Sequence, residues 1–393
     1  MIDPKVLLEF CETDAQKRNI NALIEHGTIV KTANALGINR RTLYRSRKIV
    51  ERRAASNGIS PHRDLIHQTA EGFKAKRIST AYKADGSVGL QWVIQEPEKQ
   101  KLDEILAEFR EGLKDEFKGL HKPVDPPVTD ISNVMCCYMI GDHHLGNFAW
   151  AEQTGESNYD TNIAVTLLEE AIDNLVRRTP KTKDALLVNL GDFFHSNNIR
   201  GETGSGTLLE TDTRYARTIR KGVNLLKRSV IRLLEHHEKV TVLNVRGNHD
   251  PDSSLWLNEA MKLYFENEPR VEIPNNYNKF QHIEYGNNLI VMHHGDKVNP
   301  QRIYEAITRR LSKEWGESKY RFGWLGHIHH KQVQDIGGMR FESFNILAPV
   351  DEWHSSKGYG SSRSMTCILL SKNFGEDSRI IVNADQIGGT DGK

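Results

Sequence analysis

The chain has 393 residues, 38% of them hydrophobic, a length and composition suited to two or three domains with cores of their own. Its 53 basic and 52 acidic side chains leave a formal charge of +1, so any affinity for a polyanion must come from where the charges sit. The four cysteines have neither zinc-site spacing nor the density of a disulfide framework, and no apolar run approaches the roughly 20 residues that span a bilayer; the expectation is a soluble, cytoplasmic chain of reduced core thiols with no membrane partner.

Taken from the start, residues 15–54 divide into three short helical patterns, 15–25, 29–36 and 41–54. Gly37 stands where a left-handed turn would close the second, and Asn39 where a side chain would cap the third. Between positions 31 and 53 eight basic residues face Glu51 alone, a local charge of +7. Ala33 to Arg45 resembles the Fis-type helix-turn-helix family, with a small residue in the second helix, glycine at the turn and Thr42-Leu43-Tyr44 opening the third. The resemblance and the charge together make residues 1–60 a predicted DNA-binding domain, with Arg40, Arg41, Arg45, Arg47 and Lys48 as candidate nucleic-acid contacts.

Residues 61–130 form a predicted connector. Strands near 74–83 and 88–94 flank Asp85-Gly86, a hairpin signal, and a single apolar stripe from Leu102 to Phe117 predicts an amphipathic helix over 98–120. His121 to Pro127, rich in proline, then reads as a linker.

From 131 to 393 strands and helices alternate, as in an α/β sheet flanked by helices. Strands are expected at 134–140, 185–190, 240–245, 288–293 and 322–326, with helices near 160–178, 213–236, 254–266 and 300–313. The strand-rich tail, from about Gln332, predicts a second sheet packed on the first. Five apolar runs end in a small residue beside metal-type side chains: Gly141-Asp142-His143-His144, Gly191-Asp192, Gly247-Asn248-His249-Asp250, His293-His294-Gly295 and Gly326-His327-Ile328-His329. Ligands collect at such strand ends. Asp142, His144, Asp192, Asn248, His294, His327 and His329 are too many donors for one ion and suit two, with one carboxylate shared. Where ligands stand two apart, an extended strand end would send both to one side and turn His143 and Ile328 away. Either His293 or His294 can be the donor in its block.

The five blocks, in order, resemble the signature of the calcineurin-like metallophosphoesterase superfamily. The resemblance implies a four-layer αββα sandwich. It also implies one metal on Asp142, His144 and His329, the other on Asn248, His294 and His327, and Asp192 between them. His294 is preferred to His293 because the family places its histidine directly before glycine. Mn²⁺ is the favoured metal, with Fe, Zn or Ni also compatible with the donors. Two such cations make a shared water acidic enough to attack a phosphate near neutral pH. His249, His195 and Asp250 are the catalytic candidates. Gly191-Asp192-x-x-His195 with Gly247-Asn248-His249-Asp250 is closest to the nuclease subunit of the double-strand-break repair complex, which implies a DNA phosphodiesterase and a homodimer. The overall layout resembles phage and prophage proteins, for which the compartment would be the host cytoplasm. The alternatives are a phosphomonoesterase or a small-molecule or cyclic-nucleotide phosphodiesterase tethered to DNA, and a DNA-binding regulator. His236, His237 and His330 are expected at the surface.

Overall fold

The computed structural model describes residues 3–56, 59, 73–82, 88–97, 123–129, 131–274, 278–358 and 360–387. The chain divides into two compact units, Met1–Phe109 and Arg110–Lys393. No helix among the described residues is long and apolar enough to cross a membrane.

In the first unit a helical turn, Pro4–Leu7, precedes three helices: α1 (Asp14–His26), α2 (Ile29–Leu36) and α3 (Arg40–Ser56). Thr13 and Thr28 accept backbone N–H groups at the first turns of α1 and α2, and Asn39 accepts the Arg41 N–H at 2.8 Å. Gly37 ends α2 with φ of 64°, a left-handed conformation that a side chain disfavours. Leu7, Ile20, Val50 and Ala54 are buried together at the centre of the bundle. Two antiparallel strands follow, β1 (Phe73–Tyr82) and β2 (Val88–Pro97). The Asp85-Gly86 turn and the amphipathic helix expected over 98–120 lie outside the described residues, and 123–129 has no regular structure.

The second unit is built on two sheets. The first has the order β13-β12-β3-β4-β5-β6, with β3 (Ile131–Ile140), β4 (Thr182–Asn189), β5 (Lys239–Asn244) and β6 (Val271–Glu272) parallel. β12 (Ser364–Ser371) runs antiparallel to β3, and β13 (Gly375–Asn383) antiparallel to β12. The second sheet has the order β10-β11-β9-β8-β7, in which β8 (Asn288–His293), β9 (Tyr320–Leu325) and β11 (Met339–Ser343) are parallel. β7 (Gln281–Tyr285) and β10 (Gln332–Ile336) close its edges antiparallel.

Alternation along β3 shows how the layers stack. Cys136, Tyr138 and Ile140 pack with helices α4 (Thr161–Arg178), α5 (Tyr215–Leu234) and α6 (Ser253–Tyr264) through residues such as Leu168, Leu226 and Met261. Met135, Cys137 and Met139 point the other way and meet Met292, Phe322 and Trp324 of the second sheet. A strand buried on both faces has no polar side to show, which is why its sequence is continuously apolar. The far face of the second sheet, Leu289, Val291 and Phe341, is covered by Ile303 and Ile307 of α7 (Pro300–Arg310). Helices, sheet, sheet, helices is the expected four-layer order.

Two expectations need correcting. The second sheet is not made by the tail alone: β8 and β9 supply its centre, and β12 and β13 return to the edge of the first sheet. Their apolar, β-branched runs fit either sheet, so pattern alone does not assign them. His237 is buried rather than exposed, its ring nitrogens 2.8 Å from the Tyr138 hydroxyl and 2.8 Å from the Thr182 hydroxyl.

Candidate metal centre

The parallel strands β3, β4 and β5 of one sheet and β8 and β9 of the other end at the same rim, and each is followed within a few residues by one of the five polar blocks. The loops must turn sharply to bring their side chains back across that rim. Among the described residues the non-glycine positions with positive φ are His144 (47°), Asp192 (50°), His327 (73°) and His329 (57°). Such a conformation costs of order 1–3 kcal/mol at a residue with a β-carbon. All four are predicted ligands, so backbone strain is concentrated where the donors converge. The left-handed turns replace the extended strand ends expected from the two-residue spacing. Ile328 is nevertheless exposed, and His143 is buried against the ring of Phe193.

Glycines make the convergence physically possible. A β-carbon on Gly247 would lie 1.9 Å from Asp192 Oδ1, one on Gly326 2.5 Å from Asp142 Oδ1, and one on Gly191 2.6 Å from His294 Nδ1. In these three blocks the small residue makes room for the donor of another.

Two groups of predicted ligands result, beside a third set, His144, His195 and His249, that also lies within reach of one ion. Asp142, His144 and His329 bring ligand atoms within 4.8 Å of one another, and so do Asp192, His294 and His327. In the first, His329 Nε2 is 3.0 Å from Asp142 Oδ2 and 3.1 Å from His144 Nε2. In the second, His294 Nε2 is 3.0 Å from both Asp192 Oδ2 and the Asn248 side-chain oxygen. His294 Nδ1 is 3.0 Å from the Leu190 carbonyl, which can only accept, so Nδ1 carries the proton and Nε2 faces the carboxylate. Asp142 also accepts the His327 N–H at 2.8 Å, tying β3 to the loop after β9. His293 turns elsewhere, accepting the Gly295 N–H at 2.9 Å beside the Phe280 ring.

The electrostatics call for a cation. Burial works against charge on His294, but Asp192 and Asp142 overcome it and push its pKa up to about 10. Burial would likewise raise Asp192, yet His294 and His249 hold it well below the ordinary carboxylate range. Beside these carboxylates the His294 imidazole retains a proton, the positive charge that a divalent ion would otherwise supply. Imidazole nitrogens with carboxylate and amide oxygens suit Mn, Fe, Zn or Ni.

The three catalytic candidates occupy different places. His249 is half-buried; its main-chain N–H donates to Asp192 Oδ1 at 2.7 Å, and its Nδ1 lies 2.8 Å from the His195 carbonyl. That carbonyl fixes the proton on Nδ1 and leaves Nε2 as the exchanging nitrogen. His195 is buried with Nδ1 3.4 Å from His144 Nδ1, and burial, with His249 nearby, pushes its pKa down to about 3. It is placed to orient His144. Asp250 is fully buried, accepting the Phe194 N–H at 3.1 Å and the Gly247 N–H at 3.2 Å. Burial together with Asp192 raises its pKa to about 7. Its carboxylate is turned under the donor cluster and pins two ligand loops together. Nothing in the sequence separates an aspartate that faces the cleft from one turned under it.

In the first unit Arg40, Arg41, Arg45 and Lys48 are exposed on α3. Arg47 is not: it is buried, with Nε 2.8 Å from Glu51 Oε1, and Lys48 reaches the other Glu51 oxygen at 2.8 Å. Arg47 therefore pairs within α3 and is turned away from the exposed basic face, which corrects its place among the candidate contacts. Its position two residues from Arg45 puts it on the inner face of the helix, a direction that a count of charges does not register.

Comparison with known proteins agrees with this geometry. The profile of the calcineurin-like phosphoesterase family matches residues 137–355, more than half of the chain. The chain belongs to that family, whose members are metal-dependent hydrolases. No curated protein sequence matches it. Among solved structures it is similar to Vps29 complexed with Zn²⁺ from Entamoeba histolytica, at 14% identity and a TM-score of 0.30 over 64% of this chain and 99% of that one. It is also similar to the phosphoesterase Yfce from E. coli (13%, 0.32, 63% and 98%) and to a novel archaeal phosphodiesterase (15%, 0.33, 63% and 100%).

Proposed function

We propose that the protein is a dinuclear metal-dependent phosphodiesterase that cleaves DNA, directed to its substrate by the basic helix α3, in the DNA metabolism of a phage or prophage. What chiefly supports the reading is the convergence of seven nitrogen and oxygen donors from five loops, four of them on strained backbone. Asp142, His144 and His329 would hold one ion, Asn248, His294 and His327 the other, and Asp192 would serve both. Bound there, two divalent ions, Mn²⁺ in the first instance, supply Lewis acidity for in-line displacement at phosphorus.

The chain's own residues do the rest. Asn248 contributes an uncharged oxygen, so the centre stays positive enough to hold a phosphodiester. His249, with Nδ1 engaged by the His195 carbonyl, presents Nε2 to protonate the departing oxygen. His195 keeps the His144 ring aligned, and Asp250 holds the loops of Asp192 and Asn248 in register. Arg40, Arg41, Arg45 and Lys48 offer the phosphate backbone a sequence-independent field.

The test is turnover on single- and double-stranded DNA, a nitrophenyl diester and a nitrophenyl monoester, with Mn²⁺ and with EDTA. The proposal expects EDTA-sensitive DNA cleavage, diester over monoester, lost in Asp192→Asn and His249→Ala. Preference for the monoester, or cleavage unchanged in both variants, overturns it.

A further inference from the structure

Among the described residues, the outer face of the second sheet is left partly uncovered beside the donor cluster. α7 seals that face through Ile303 and Ile307 but begins only at Pro300. A cavity of about 700 Å³ opens at the helix start, with β10 and β11 as its wall. That size falls within the roughly 300–1,000 Å³ of small-molecule sites. Its rim takes in Gly295 and Gly326, the neighbours of His294 and His327, so the cavity and the donor cluster share a border.

The wall follows from strand geometry. Gln332, Gln334 and Ile336 alternate along β10 and therefore share a face, and the register sets Gln332 opposite Ser343 and Gln334 opposite Phe341. Asn299 and Gln301 add two more carboxamides from the helix start. The Asn299 oxygen caps α7 by accepting the Arg302 N–H at 2.9 Å, which leaves its NH₂ as a donor. Glu342, a carboxylate on this wall, is neutralised by Arg379, whose nitrogens stand 2.5 and 3.0 Å from its two oxygens.

Such a lining selects neither an anion nor a cation. Carboxamides offer a donor and an acceptor side by side, the pattern that matches the edge of a purine or pyrimidine. Val298 and Ile336 supply apolar surface for its faces. We propose that this cavity is a nucleobase subsite, taking the base next to the phosphate held between His294 and His327, with Gln332 and Gln334 on its edge. The inference rests on the nucleolytic reading above and names the part of the substrate that this side of the site recognises.

The test compares the wild-type chain with Gln334→Leu and with the double variant Gln332→Ala, Gln334→Leu, all checked by circular dichroism melts. The first readout is the ratio of kcat/KM on a thymidine dinucleotide to that on bis(4-nitrophenyl) phosphate, which has no base. The ratio should fall by about tenfold or more in the double variant. The second readout needs no turnover: saturation-transfer NMR with the four deoxynucleosides, which carry no phosphate. Signal in the wild type that disappears in the double variant supports the subsite even if the chain cleaves no nucleic acid. DNA cleavage with an unchanged ratio and no nucleoside signal leaves the nucleolytic reading standing and overturns the subsite.

Discussion

Gly247 and Asp192 lie so close that a β-carbon on the first would stand 1.9 Å from a carboxylate oxygen of the second and 2.3 Å from its backbone nitrogen. Backbone cannot swing aside as a long side chain can. The loop after β5 therefore presses on the residue proposed to serve both donor groups, and only glycine permits it. Gly247→Ala should cost about 1–3 kcal/mol by overpacking. It should also lower turnover by about a hundredfold, because displacing a reacting group by about 1 Å has that effect. Thermal melts and steady-state rates check both; an alanine variant with wild-type rates would mean the two loops do not need this contact.

Acid lability should come from histidines buried in the neutral form. Burial pushes His237 down to about 3, with a smaller contribution from His236. A folded pKa below the unfolded value of about 6.5 gives stability that is complete above 6.5 and is lost as pH falls towards 3. Between pH 7 and pH 5 the loss is about 2 kcal/mol for each such group. His237→Gln, which keeps hydrogen-bonding capacity beside Tyr138 and Thr182, should flatten the decline by that amount. Urea unfolding at the two pH values measures it, and an equal slope in the variant would remove His237 from the account.

Two arginines two residues apart on α3 should behave differently. Arg45 is exposed, so Arg45→Ala should weaken DNA binding and reduce the slope of log K against log salt by about 0.9. Arg47 is buried against Glu51, so Arg47→Ala should leave the salt slope alone and cost about 1–3 kcal/mol of stability in the first unit. Fluorescence anisotropy across a salt series, paired with denaturation, separates the two; a changed salt slope for Arg47→Ala would put its side chain on the DNA after all.

Much of the second unit was legible because buried parallel strands leave continuous apolar runs, and because each ends in glycine and a donor. β3, β4, β5, β8 and β9 lie where those runs predict. Less legible was anything decided by side-chain direction. His237, Arg47 and Asp250 each look like surface or cleft residues in one dimension and are buried in three. The spacing of Asp142 and His144 suggested an extended strand end, whereas the loops use left-handed turns at His144, His327 and His329. Why Gly191, Gly247 and Gly326 must be glycine was also invisible, since the atom that excludes a β-carbon belongs to a different block, as Asp142 does for Gly326.

The central claim is that Asp192 ties two donor groups into one centre. Metal analysis of the purified chain after equilibration with Mn²⁺ tests it most directly, run beside Asp192→Asn. The account predicts two equivalents per wild-type chain and a loss in the variant of both metal and at least about a hundredfold of phosphodiesterase rate, more than a residue that merely orients a ligand would cost. Two equivalents retained by Asp192→Asn with its rate intact would contradict it.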